Sequence, residues 1–206
     1  RQQASVDAAL ETALARLGGL DVLVNNAGIG FAQSAGSAPR AGAAAILDVN
    51  LLGPWRVTAA ALPALLAARG RVINVASGLA FLTLPYLAAY CAAKRGLAAY
   101  SDALRLEYGG AISVTTVYPG YIRTPIHDDP GVEGLTLEGL VPAERIQDAV
   151  ATLVRAALGP RPPRDLATTR GGALAYRALR MLPPSLVDRA VLARVRRWEK
   201  LRASTP

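Results

Sequence analysis

A phenol and an ammonium stand four residues apart in the Ala-rich run Tyr86-Leu-Ala-Ala-Tyr90-Cys-Ala-Ala-Lys94. If this run is helical, both side chains share one face, one turn apart. A phenol exchanges protons poorly near neutral pH because its ordinary pKa is about 10. A neighbouring ammonium favours the phenolate and draws that pKa towards the range where proton transfer is useful. Upstream, Ser77 ends the apolar run Val72-Ile-Asn-Val-Ala-Ser77. Its hydroxyl is therefore expected at the carboxyl end of a strand, where open α/β sheets place their chemistry. A Tyr-x-x-x-Lys pair alone is as readily a surface pair on any helix, so its meaning depends on its surroundings. Neither of the other reactive side chains competes with it. His127 has no metal partners at ligand spacing, and Cys91 sits inside the Tyr90/Lys94 turn, where packing is its simplest role. Neither supports zinc or thiol chemistry.

Strands alternating with helices would bring these groups together, and the chain reads that way. Val6, Leu10, Ala13, Leu14 and Leu17 fall at helical spacing, with Gly18-Gly19 as the stop. Residues 20–24 read as a buried strand running into Asn25-Asn-Ala-Gly28-Ile-Gly30. Small residues directly after such a strand let a ligand approach the backbone closely. A long helix is expected from about Gly42 to Ala68, kinked or bulged near Asn50 by Gly53-Pro54. Asn50, flanked by Val49, Leu51 and Leu52, is either a satisfied core amide or part of a site. A strand from Arg71 to Ser77, a helix over 88–107 and a strand over 112–118 follow. Pro119-Gly120 then turns the chain into Tyr121-Ile-Arg-Thr124. Residues 126–141, rich in Asp, Gly and Pro, read as a mobile flap. A helix from Pro142 to Leu158 and a short strand over 165–169 complete the pattern. The alternation implies an α/β fold with a doubly wound parallel sheet. Residues 1–160 form a partial catalytic domain, and 161–206 a basic helical extension, either part of it or peripheral.

The 206 residues suffice for one domain with a sizeable core. The net charge of +8 is confined to the tail. Residues 1–160 hold 12 basic and 12 acidic side chains, whereas 161–206 hold 11 and 3. That distribution argues against nucleic-acid binding. The longest uncharged apolar run, Val57 to Ala68, contains Pro63 and is too short to span a bilayer. The single cysteine excludes an internal disulfide framework and fits a reducing, cytoplasmic compartment. Within the tail, Val187, Val191, Val195 and Trp198 share one helix face, with Arg189, Arg196, Arg197 and Lys200 on others. Such a basic helix over 184–202 either lies on an anionic membrane surface or packs its apolar face on the domain or a partner subunit.

Five of these features together resemble the short-chain dehydrogenase/reductase family. They are Asn25-Asn-Ala-Gly28, Asn50-Leu-Leu-Gly53, Ser77, Tyr90-Cys-Ala-Ala-Lys94 and Pro119-Gly120-Tyr-Ile-Arg-Thr124, in the family's order over residues 20–125. The resemblance implies a Rossmann-like fold and an NAD(P)-dependent oxidoreductase that interconverts an alcohol and a carbonyl. It implies Tyr90 as general acid/base, Ser77 steadying the same substrate oxygen, and Lys94 lowering the Tyr90 pKa and binding the nicotinamide ribose. Asn50 would hold a relay water. Asn25, Ala27 and Gly28 would line the adenine-ribose side of the cofactor, and Pro119, Gly120, Ile122 and Thr124 its nicotinamide end. No metal is implied, and the full-length form is expected to be a homo-oligomer. Phe81, Leu82 and Leu84 hint at a hydrophobic substrate.

The departure is at the start. The chain begins with Arg1 and nowhere carries the family's Thr-Gly-x-x-x-Gly-x-Gly turn, nor the first strands around it. The residues that separate NAD from NADP belong to that half. The 206-residue product is therefore expected to bind dinucleotide poorly, to leave a sheet edge exposed and to aggregate. Alternatives are an isomerase or dehydratase on the same fold, or a non-catalytic remnant; the reading frame upstream of Arg1 separates remnant from enzyme.

Overall fold

The computed structural model describes residues 2–127, 143–160 and 162–203; most of the expected flap lies outside them. Four parallel strands run in the order β1 (Val22–Asn25), β2 (Arg71–Val75), β3 (Ser113–Tyr118) and β4 (Asp165–Ala167). The helices are α1 (Gln3–Leu17), α2 (Ala41–Leu47), α3 (Gly53–Ala68), α4 (Ala88–Tyr108), α5 (Ile146–Leu158), α6 (Arg170–Met181) and α7 (Pro184–Ala203). This is the Rossmann-like doubly wound pattern.

Adjacent residues of β2 explain the layering, because successive strand side chains point to opposite faces. Val72 enters a core with Ala61 and Leu65 of α3, Leu104 of α4, and Val114 of β3, flanked by Leu10 of α1. Ile73 enters the opposite core with Val117, Leu166 and Ala156 of α5. Arg71 locks α5 to the sheet by donating Nη1 to the carbonyls of Ala157 (2.9 Å) and Gly159 (2.6 Å), orphan acceptors at the helix end.

The long helix expected over 42–68 is interrupted where Gly53-Pro54 demanded it. Asp48–Leu52 form a π turn between α2 and α3. Taken together, Ala41–Ala68 is 28 residues of mean hydropathy 1.4, long and apolar enough by composition to cross a membrane. Here it packs against α1 and α4 beside the sheet. Helix α5 starts at Ile146 rather than at Pro142, because the backbone before it is committed elsewhere: Ala143 bridges to Tyr121, and the Glu144 N–H donates to the Tyr121 carbonyl at 2.7 Å. Ser77 lies two residues past β2 in a loop. Helix α6, with Thr169 as its N-cap, has no counterpart in the sequence reading.

A polar chain threads the core between the layers. Asn25 donates Nδ2 to Thr58 (2.9 Å) and to Asn74 Oδ1 (2.8 Å), Asn74 donates to Ser101 (2.8 Å), and Ser101 donates to the Leu97 carbonyl (2.8 Å). All four side chains are buried, and the bonds tie β1, α3, β2 and α4 together at one level of the sheet. Buried amides of this kind are tolerated only when paired.

Candidate active site

The carboxyl ends of β1, β2 and β3 open into one cleft of about 970 Å³. Ala27, Gly28, Ser77, Tyr90, Lys94 and Pro119 line it, and so do Gly120, Ile122 and Thr124. Two expected members stand behind it. Asn25 points into the polar chain of the core, and its neighbour Asn26 faces the cleft instead, as strand alternation requires. Asn50, fully buried on the π turn, grips the backbone of Ile29. Its Oδ1 accepts from the Ile29 N–H at 2.9 Å, and its Nδ2 donates to the Ile29 carbonyl at 2.8 Å. The π turn thus uses Asn50 to set the loop that carries Gly28.

Ser77 is held by capping a short turn, its Oγ accepting from the Leu79 N–H at 3.2 Å. It lines the cleft together with Tyr90. Burial pushes the Tyr90 phenol above its ordinary 10.0, and the nearby Ser77 side chain only partly offsets this. The expected lowering by Lys94 is therefore absent. Its Nζ lies 5.7 Å from the Tyr90 ring centroid and donates to the Val75 carbonyl at 2.8 Å. Lys94 is 4% exposed, and its desolvation lowers its pKa to about 8. At neutral pH the cleft holds a protonated phenol, a hydroxyl and an ammonium with donors to spare.

A Cβ at Gly28 would come within 3.3 Å of Asn50 Oδ1 and 3.7 Å of Lys94 Nζ, so glycine keeps the floor open beside the ammonium. The far wall is formed by residues outside the sequence expectation. Glu144, Thr169, Ala175, Tyr176 and Leu179 line the cleft, and Arg194 of α7 reaches it. Tyr176 packs so closely on Gly78 that a Cβ there would collide with its hydroxyl and ring. Phe81 turns away from the cleft, stacking on Tyr176 (4.9 Å between centroids) under the Arg180 guanidinium (4.9 Å). Leu82 and Leu84 do line the cleft.

The chain is similar to known proteins in sequence and in fold. Dehydrogenase/reductase SDR family member 7B of Xenopus tropicalis is 31% identical over 211 residues, covering 97% of this chain and 66% of that protein. Human retinol dehydrogenase 5 is 46% identical over 112 residues, 52% of this chain and 34% of that one. The chain thus spans about two thirds or less of these relatives' lengths. A short chain dehydrogenase from Burkholderia cenocepacia, solved with NADP, superposes with a TM-score of 0.74 at 24% identity, covering 93% of this chain and 75% of its own. A Streptomyces avermitilis short-chain dehydrogenase gives 0.71 at 25% identity, covering 100% and 78%. Residues 1–131, well over half of the sequence, match the family model of the short chain dehydrogenases, and the chain belongs to that family.

Proposed function

We propose that the protein is an oxidoreductase that interconverts an alcohol and a carbonyl using NAD or NADP, with Tyr90 exchanging the proton. The observation that carries this reading is that Ser77, Tyr90 and Lys94 line one cleft, with the Lys94 Nζ 5.7 Å from the Tyr90 ring centroid. A nicotinamide bound beside Lys94 and Gly28 would supply the hydride chemistry. Tyr90 gives its phenolic proton to the substrate oxygen in reduction and recovers it in oxidation. Ser77 donates a second hydrogen bond to the same oxygen as charge gathers there. Lys94, with one donor spent on Val75, offers the rest to ribose hydroxyls and so holds the ring of the cofactor near Tyr90.

The residues fit the nicotinamide-ribose end of such a cofactor. The space kept open by Gly28 beside Lys94 and the turn at Pro119–Gly120 are what a ribose and a planar ring need. Among the described residues no glycine-rich turn meets a helix N-terminus to hold the pyrophosphate. For the substrate, Phe31, Leu79, Leu82, Leu84, Leu87 and Leu179 make the wall beside Tyr90 largely apolar. This favours a hydrophobic alcohol or ketone, in keeping with relatives named for retinol and for 11-beta-hydroxysteroids. The test is the product of the full reading frame, assayed on apolar alcohols and ketones with each cofactor. Tyr90→Phe should lower kcat by a factor of roughly 10² to 10⁴; a Phe variant that retained full activity would remove Tyr90 from the reaction.

A further inference from the structure

Glu144 lies in the wall of the cleft, and its carboxylate joins segments far apart in the chain. Oε2 accepts from the Gly120 N–H at 2.9 Å and from the Thr168 hydroxyl, and Oε1 accepts from the Thr169 hydroxyl at 3.1 Å. The fit is tight, since a Cβ on Gly120 would stand 2.7 Å from the carboxyl carbon. Both sides of this clamp lead to the reacting groups. On one side, the carbonyl of Pro119 accepts from the Gly78 N–H at 2.8 Å, next to Ser77. On the other, Thr169 Oγ1 accepts from the Gly172 N–H at 3.0 Å as the N-cap of α6, and α6 carries Tyr176 back onto Gly78. The circuit Ser77–Gly78–Pro119–Gly120–Glu144–Thr169–Tyr176–Gly78 closes on itself.

We infer that Glu144 is a positioning residue that latches the Pro119–Gly120 turn to α6, fixing the spacing between the cofactor-side floor of the cleft and its substrate-side wall. A carboxylate suits the task because its two oxygens accept several hydrogen bonds at once, each stronger than a neutral one. Its charge is met here by an N–H and two hydroxyls. The kinetic part of this inference rests on the oxidoreductase reading above; the latch itself does not.

The two are separated by measuring amide exchange and steady-state kinetics on the full reading-frame product. In Glu144→Ala, exchange at Gly120 and in the first turn of α6 should quicken together, by roughly tenfold or more. Amides of β3 should be unchanged. KM for both cofactor and substrate should rise by about the same order, with a smaller fall in kcat. Glu144→Gln keeps an oxygen for Gly120 and Thr168 and an NH₂ for Thr169, so it should restore both readouts to near wild type. Unchanged exchange in Glu144→Ala, or loosening of only one of the two segments, would overturn the latch. So would a Gln variant as impaired as Ala, which would point to charge rather than position. Loosening with unaltered KM values would overturn its link to the cleft. If Glu144→Ala does not fold, Thr168→Val removes one bond and should give the same paired loosening in weaker form; its absence is equally decisive. An inactive wild type that still shows the exchange pattern would refute the reaction and uphold the latch.

Discussion

Replacing Lys94 with methionine should stabilise the fold at neutral pH while abolishing activity. Burial brings the Lys94 pKa from 10.5 to about 8. At about 1.4 kcal/mol for each pH unit, the folded state bears a penalty of about 3 kcal/mol for keeping this ammonium charged. The sign follows from proton counts. Below pH 8 both states hold the proton and the full penalty applies. Between about 8 and 10.5 the folded state has lost the proton and the unfolded state has not, so stability rises with pH. The wild type should therefore gain on Lys94→Met by about 2–3 kcal/mol between pH 7 and pH 10, measured as the difference of their urea-unfolding free energies. Using the variant as reference cancels the tyrosines, whose own titration lies higher still (Tyr90 and Tyr176 are both raised). At pH 7 the Met variant should be the more stable one by about 1–2 kcal/mol, once the lost bond to Val75 is set against the relieved desolvation. A pH-independent difference, or one that shrinks with rising pH, would refute the claim that this ammonium is desolvated in the fold. A stable, inactive Lys94→Met would mark Lys94 as a residue retained for chemistry at a structural cost.

Other perturbations read other parts of the molecule. Gly78→Ala forces a methyl against Tyr176 and should cost about 1–3 kcal/mol in chemical denaturation, with the aromatic near-ultraviolet dichroism of the Phe81–Tyr176 stack reduced. Asn74→Leu leaves Asn25 and Ser101 without their buried partner and should cost roughly 2–5 kcal/mol; a loss under 1 kcal/mol would mean that water or a rearranged amide replaces it. Leu65→Ala, at a fully buried site of the α3 core, should cost about 2–5 kcal/mol and leave the KM values unchanged.

Residues whose job is set by local spacing were legible in the chain. Tyr90 and Lys94 share a helix face because they are four apart, Ser77 follows a strand, and the bulge at Asn50 follows from Gly53-Pro54. What escaped was set by packing between distant segments. Glu144 reaches Gly120 across 24 residues and Thr168 across 24 more, a meeting that no periodicity encodes. Tyr176 enters the cleft only because β4 and the Thr169 cap aim α6 across it. Asn25 and Asn26 are alike in sequence, and only the strand's phase sends one to the core and the other to the cleft. The phenol's pKa moved the opposite way to expectation because burial raises it and Lys94 does not oppose that, and depth of burial is a property of the assembled fold.

The π turn at Asp48–Leu52 has a consequence for how this helix tolerates change. A π turn carries one residue more than an α turn, so the helix stores a spare residue at Asn50. Deleting one residue there would let α2 run into α3 as ordinary helix, with Ala61 and Leu65 still facing the sheet; only the grip on Ile29 would go. Deleting one residue a turn later would rotate the rest of α3 by about 100°, bringing Leu65 out and exposed Leu66 in. Deletions along Ala41–Ala68 are therefore unequal: at the π turn one edits the site and spares the scaffold, and a turn beyond it one breaks both.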